Sequence, residues 1–173
     1  MTDINYRMIY TISANETITN KIVIILCNPA SVNSEDNTIK LLKTLFNTND
    51  FNSLIILNLF SFVAPNLLKL DNLDITLFFN NQEENLNYIS NYLETNNSII
   101  NKIIISCGQH FTRSQYKNIY KNHYNKLLCI IKNYSNKVYC YGFTRYKYPI
   151  YISYRNLRNT KIAWSPELIL FFS

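Results

Sequence analysis

At 173 residues, 47% of them hydrophobic, the chain has the length of one domain with a substantial core. That is too short for two ordinary domains, so residues 1–173 are read as a single domain with one site. The net charge of +6 and the pI near 9.1 favour an anionic partner. However, 27 Asn, 24 Ile and 14 Tyr against 2 Gly and 4 Pro are the skew an AT-rich genome imposes. Lys shares that bias, so charge alone does not select nucleic acid.

The polar opening Met1 to Tyr6 does not look like a signal peptide, and the apolar runs Ile22 to Cys27 and Leu54 to Leu57 fall far short of a bilayer span. The expectation is a soluble intracellular protein, cytoplasmic or nuclear, without a membrane partner. Cys27, Cys107, Cys129 and Cys140 sit in or beside apolar runs without secreted spacing, which predicts free and mostly buried thiols.

In chain order, Asn5 to Ile12 is read as an edge strand or hairpin arm. Lys21 to Cys27, Leu54 to Leu57, Lys102 to Ser106 and Lys137 to Tyr141 are short apolar runs without alternation, the pattern of strands buried on both faces of a parallel sheet. Between them lie three helical stretches. Thr38 to Phe46 places Ile39, Leu41, Leu42, Leu45 and Phe46 on one broad face, with Asp36 as candidate cap. Ile75 to Leu93 and Ser114 to Tyr134 repeat apolar residues at helical spacing, and the Asn-rich patch Asn80 to Asn87 dilutes the first of these signals. The tail from Lys161 to Ser173 is read as a last helix after Pro166. Alternating strand and helix predicts an α/β class, doubly wound or three-layer. Ligands of open α/β sheets bind beyond the carboxyl ends of the strands, so the residues after each run are the candidates for function.

Those residues are Asn28-Pro29-Ala30-Ser31, Asn58-Leu59-Phe60, Cys107-Gly108, and Tyr141-Gly142-Phe143 followed by Tyr148-Pro149-Ile150-Tyr151. With Asp36-Asn37-Thr38-Ile39, this ordered set resembles a largely bacterial and phage family, domain of unknown function 1643. That family carries Asn-Pro-Ser, Asp-x-Thr-Ile, Asn-Leu-Phe, Trp-Gly and His-Pro-Leu-Tyr at the corresponding places. The likeness runs from about Asn5 to Tyr154. Ala30 replaces the usual Ser, Cys107 the Trp, and Tyr148 the His.

The layout is also similar to the uracil-DNA glycosylase superfamily. This second resemblance implies a three-layer sandwich around a central, mainly parallel four-stranded sheet, and an N-glycosidic hydrolase or binder of a nucleobase in nucleic acid. It implies that Asn28 orients a water, that Asn58 reads a base edge with Phe60 stacking and Gly108 alongside, and that the Tyr148 loop meets the sugar and phosphates. Such chemistry needs a positioned water and hydrogen bonds to the leaving base, which amides and aromatic faces supply. Asn28 is no general base, so a glycosylase built this way is expected to be weak.

Bland readings stand beside these roles. Asn28 and Asn58 are also turn and strand-end residues, Phe60 is also a core ring, and Gly108 also suits a positive φ angle or close backbone approach. Cys107-x-x-His110 lacks a second matched pair, so no metal and no cofactor are expected, and no sequence feature brings His110 or His123 to Cys27 to make a thiol nucleophile. Arg145, Arg155, Arg158 and Lys161, interleaved with tyrosines, suit a phosphate backbone. Partners are therefore expected to be nucleic acid, DNA before RNA, or a nucleotide. The alternatives are a catalytically inactive nucleic-acid or nucleotide-binding module and an interaction subunit of a DNA-processing complex.

Overall fold

The computed structural model describes residues 8–13, 20–31, 35–46, 53–63, 82–108, 117–153 and 168–172. The strands are β1 (Ile9–Ser13), β2 (Lys21–Leu26), β3 (Ser53–Asn58), β4 (Ile100–Ser106), β5 (Val138–Cys140) and β6 (Ile169–Leu170). The helices are α1 (Asn37–Leu45), α2 (Gln82–Asn96) and α3 (Lys117–Lys132).

They form an α/β fold on one six-stranded sheet, in the order β1-β3-β2-β4-β5-β6. β3, β2, β4 and β5 run parallel to their neighbours, while β1 and β6 add antiparallel at the two edges. The sheet is thus mixed and wider than the four strands read from the sequence. The edge strand read at Asn5 to Ile12 is present as β1, whereas β6 escaped because it is only two residues long.

Every residue of β2 and β3 is buried. Alternate side chains feed opposite faces: Val23, Ile25, Ile55 and Leu57 pack with Leu86, Ile89 and Leu93 of α2 and Leu127 and Ile131 of α3. Ile22, Ile24, Leu54 and Ile56 pack with Ile39, Leu41 and Leu42 of α1 on the other face. Covering both faces is why these strands lack polar alternation, and each Ile or Leu so buried contributes about 1.5–3 kcal/mol.

α1 starts where Asp36 accepts the Thr38 and Ile39 amides, each at 2.9 Å, as its sequence position predicted. α2 overlaps the expected stretch Ile75 to Leu93 and runs on to Asn96, and α3 lies within Ser114 to Tyr134, with a turn at Asn133 and Tyr134; residues 75–81 and 114–116 lie outside the described segments. The expected tail helix is corrected in part: Ile169–Leu170 is a strand pairing with Tyr139 and Cys140, because β5 offers an open edge there. Residues 161–167 of that expectation lie outside the described segments.

β3 lies on one side of β2 and β4 on the other. Strand order therefore reverses between β2 and β4, and open α/β sheets bind ligands beyond the carboxyl ends at such a reversal. Asn28 follows β2 and Gly108 follows β4.

Candidate functional site at the strand ends

Parallel pairing places Leu26 opposite Asn58. Pairing continues past both strands, with Leu59 N donating to Leu26 O and Phe60 N to Cys27 O, each at 2.8 Å. The Asn28 and Asn58 segments are thereby held side by side.

Asn58 is fully buried at the last position of β3, and neither atom of its side-chain amide has a hydrogen-bond partner. Its backbone is fixed from below by Asn85 of α2, whose Nδ2 donates to Asn58 O at 2.9 Å and Leu59 O at 3.0 Å. Asn28 is half-buried, and its Nδ2 lies 3.2 Å from Pro29 O.

Across the reversal, Gly108 adopts φ +69°, the left-handed conformation that glycine tolerates best. Its N–H donates to Pro149 O at 3.1 Å and its carbonyl accepts the Tyr120 hydroxyl. Ser106 completes the attachment: Oγ donates to Ile150 O at 2.9 Å and accepts the Ile152 amide at 2.7 Å. Segment 149–152 is thus pinned over the end of β4, and its Tyr151 hydroxyl reaches Thr38 Oγ1 at 3.2 Å, beside the start of α1.

Tyr148 is half-buried, its ring 5.5 Å from Tyr120 and 5.1 Å from Tyr124 of α3. Between Gly142 and Tyr148 the chain makes a hairpin, with Phe143 bridged to Pro149 and Thr144 N donating to Tyr148 O at 2.7 Å. Arg145 is exposed on it, 4.7 Å above the Tyr146 ring.

Phe60 packs among core rings. It is 1% exposed, and the rings of Phe62, Tyr120 and His123 lie 5.7, 6.0 and 5.5 Å away, so the core reading of this residue holds. Arg155, Arg158 and Lys161 lie outside the described residues, as does His110.

All four cysteines are free. Burial pushes the Cys27 thiol well above its ordinary value, with Cys107 adding to it, and burial likewise pushes Cys107 up. A thiolate nucleophile at Cys27 is therefore disfavoured. Among the described residues no three His, Cys, Asp or Glu side chains gather as a metal site would require.

Sequence reading missed Asn85, Ser106 and Tyr120, which hold the site together. Asn85 left one signal: it shares the buried stripe of α2 with Leu86, Ile89 and Leu93, where a polar side chain needs a partner.

The fold is an open α/β sheet in which the segments after β2, β3, β4 and β5 bring Asn28, Leu59, Gly108 and Tyr141 to one end. The chain belongs to the family described as Protein of unknown function (DUF1643), whose family model matches residues 9–150. No curated protein and no solved structure matches the chain. In the described residues, no helix is long and apolar enough to cross a membrane.

Proposed function

We propose that this chain recognises a nucleobase carried by a nucleic acid or a nucleotide, in the manner of a uracil-DNA-glycosylase-like protein. Asn58 reads the base edge, and Asn28, one strand over, faces the sugar. The observation that carries this reading is the Asn58 amide, fully buried with both polar atoms unpartnered. An unpartnered buried polar group costs on the order of 1–3 kcal/mol. A base edge offers a donor and an acceptor together, the complement of a carboxamide.

The reading favours binding with weak turnover or none. Glu35 and Asp36 are the carboxylates that follow the Asn28 turn: Glu35 is engaged by Lys43, and Asp36 Oδ1 accepts the Thr38 and Ile39 amides. Asn28 orients a water without removing its proton, and Tyr148 is packed between Tyr120 and Tyr124 rather than standing in the place of a free imidazole.

Calorimetric titration with free bases, nucleosides and nucleotides tests the recognition step, and oligonucleotides containing uracil, mismatched or modified bases, treated with alkali after incubation, test hydrolysis. Binding that Asn58→Ala weakens at least tenfold supports the reading. The absence of binding to every member of both panels overturns it.

A further inference from the structure

Charge along this chain is divided. Residues 1–94 carry five Lys and Arg against ten Asp and Glu, whereas residues 95–173 carry twelve against one, Glu167. The cationic part supplies β4, α3, β5 and the hairpin, hence one side of the fold.

On that side the hairpin is built to stand out. Lys147 N donates to Thr144 O at 2.9 Å, and Tyr148 N donates to Thr144 Oγ1 at 3.3 Å. Closing this turn holds Lys147 at φ +62°, a conformation that is uncommon outside glycine. The hairpin exposes two rings, Tyr146 at its tip at 47% and Phe143 at its base at 44%, the latter 5.5 Å from the Phe171 ring, with Arg145 and Lys147 also exposed. Arg145 lies over the Tyr146 ring and donates to its hydroxyl at 2.9 Å, so cation and ring are held together. Lys117 and Lys121, one turn apart and both exposed, lie at the end of α3 from which Tyr120 reaches Gly108.

We propose that the hairpin and the first turns of α3 form a docking surface for a single-stranded nucleic acid, with Tyr146 and Phe143 stacking on unpaired bases and Arg145, Lys147, Lys117 and Lys121 meeting phosphates. Base stacking on exposed aromatics beside a cationic track is how single strands are held without sequence preference. Paired bases hide those ring faces, which is why the occupant is a single strand rather than a duplex. This deepens the nucleobase reading and rests on it for function: the base at Asn58 is delivered by a polymer. The charge division and the exposed rings are observations independent of Asn58.

The test is fluorescence anisotropy with a labelled oligothymidylate longer than the roughly 4–16 nucleotides such a surface covers. A duplex of the same length and inorganic polyphosphate serve as competitors. The single strand should bind at least tenfold more tightly than either. Tyr146→Ser should weaken it about tenfold, because stacking is lost. Arg145→Ala combined with Lys147→Gly should flatten the log–log salt slope by roughly 1.4, two phosphates' worth. Lys147→Gly also relieves the positive φ, so the loop keeps its shape, and a thermal melt unchanged from the parent protein verifies this.

Duplex or polyphosphate binding as tightly as the single strand overturns the proposal, as does an inert Tyr146→Ser. Mononucleotide binding that depends on Asn58, with the oligonucleotide binding no more tightly, removes the strand surface and leaves the nucleobase reading standing. Hairpin-dependent strand binding with no mononucleotide affinity does the reverse.

Discussion

Asn85 Nδ2 donates to Asn58 O at 2.9 Å, so a side chain from α2 anchors the main chain of the residue whose own side chain is left unpartnered. The Asn85 amide nitrogen is used on structure, while its oxygen and both polar atoms of the Asn58 amide are buried without partners among the described residues. Asn85→Leu should therefore destabilise the protein by about 1–3 kcal/mol for each of the two carbonyls, Asn58 O and Leu59 O, that it strips. Urea unfolding monitored by circular dichroism measures this, and a midpoint equal to that of the parent protein would show that the two bonds carry no weight.

Ser106 performs a comparable service for the loop above β4. Its hydroxyl holds Ile150 O and the Ile152 amide, while Gly108 N holds Pro149 O. Ser106→Ala removes two of the three bonds and leaves a buried amide bare, at a cost of about 1–3 kcal/mol. Hydrogen exchange should accelerate at Ile152 before it does in β2. Uniform acceleration across the sheet would mean that the loop does not open by itself.

The strands were legible because helices cover both faces of the sheet, which forces runs such as Ile22 to Leu26 to be apolar throughout. The Asp36 cap was legible because it acts within three residues of itself. Two kinds of feature were not. Asn85 sits among 27 asparagines, so its identity carries little information until the α2 stripe shows that it faces inward. Phe60 was ambiguous because its fate depends on Tyr120 and His123, brought from α3 by tertiary packing that no local pattern encodes. The strand ends themselves were found correctly, since reading them needed only chain order and the place where each apolar run stops. The unpartnered Asn58 amide was not legible, because what surrounds it is set by tertiary packing.

Alkaline stability should report on the same loops. Burial pushes the Tyr151 hydroxyl up to about 12, with the Thr38 bond opposing that shift, and burial pushes Tyr120, Tyr124 and Tyr141 up as well. A tyrosine whose folded value exceeds its ordinary value near 10 favours the protonated form in the folded state. Its contribution is complete below about pH 10 and is lost as pH rises through the folded value. For Tyr151 the window is from the ordinary 10 to about 12. Each such tyrosine adds about 1.4 kcal/mol per pH unit to the decline while it is ionised only in the unfolded chain. Tyr151→Phe should make the decline shallower by that amount, measured by urea unfolding across the window. An unchanged slope would place the Tyr151 hydroxyl in water.

The decisive substitution is Asn58→Leu, because structural and functional accounts of this residue predict opposite signs. If Asn58 serves the fold, replacing its amide removes something useful and the protein weakens. If it is kept for a ligand, the unbound protein carries an amide with neither atom partnered, in a cluster where Leu57, Leu59 and Phe60 are already apolar. Substituting a side chain of similar volume then relieves an unpaired buried group, and stability should hold or rise by about 1–3 kcal/mol. The same change should abolish the stabilisation that ligand brings. A nucleotide or oligonucleotide present at about a hundred times its dissociation constant adds about 2.7 kcal/mol to the parent protein and should add nothing to the variant. Thermal unfolding of both proteins, with and without the tightest-binding member of the panel, reads the two effects together. A variant that is less stable alone and still stabilised by ligand would make Asn58 a structural residue and move base recognition elsewhere.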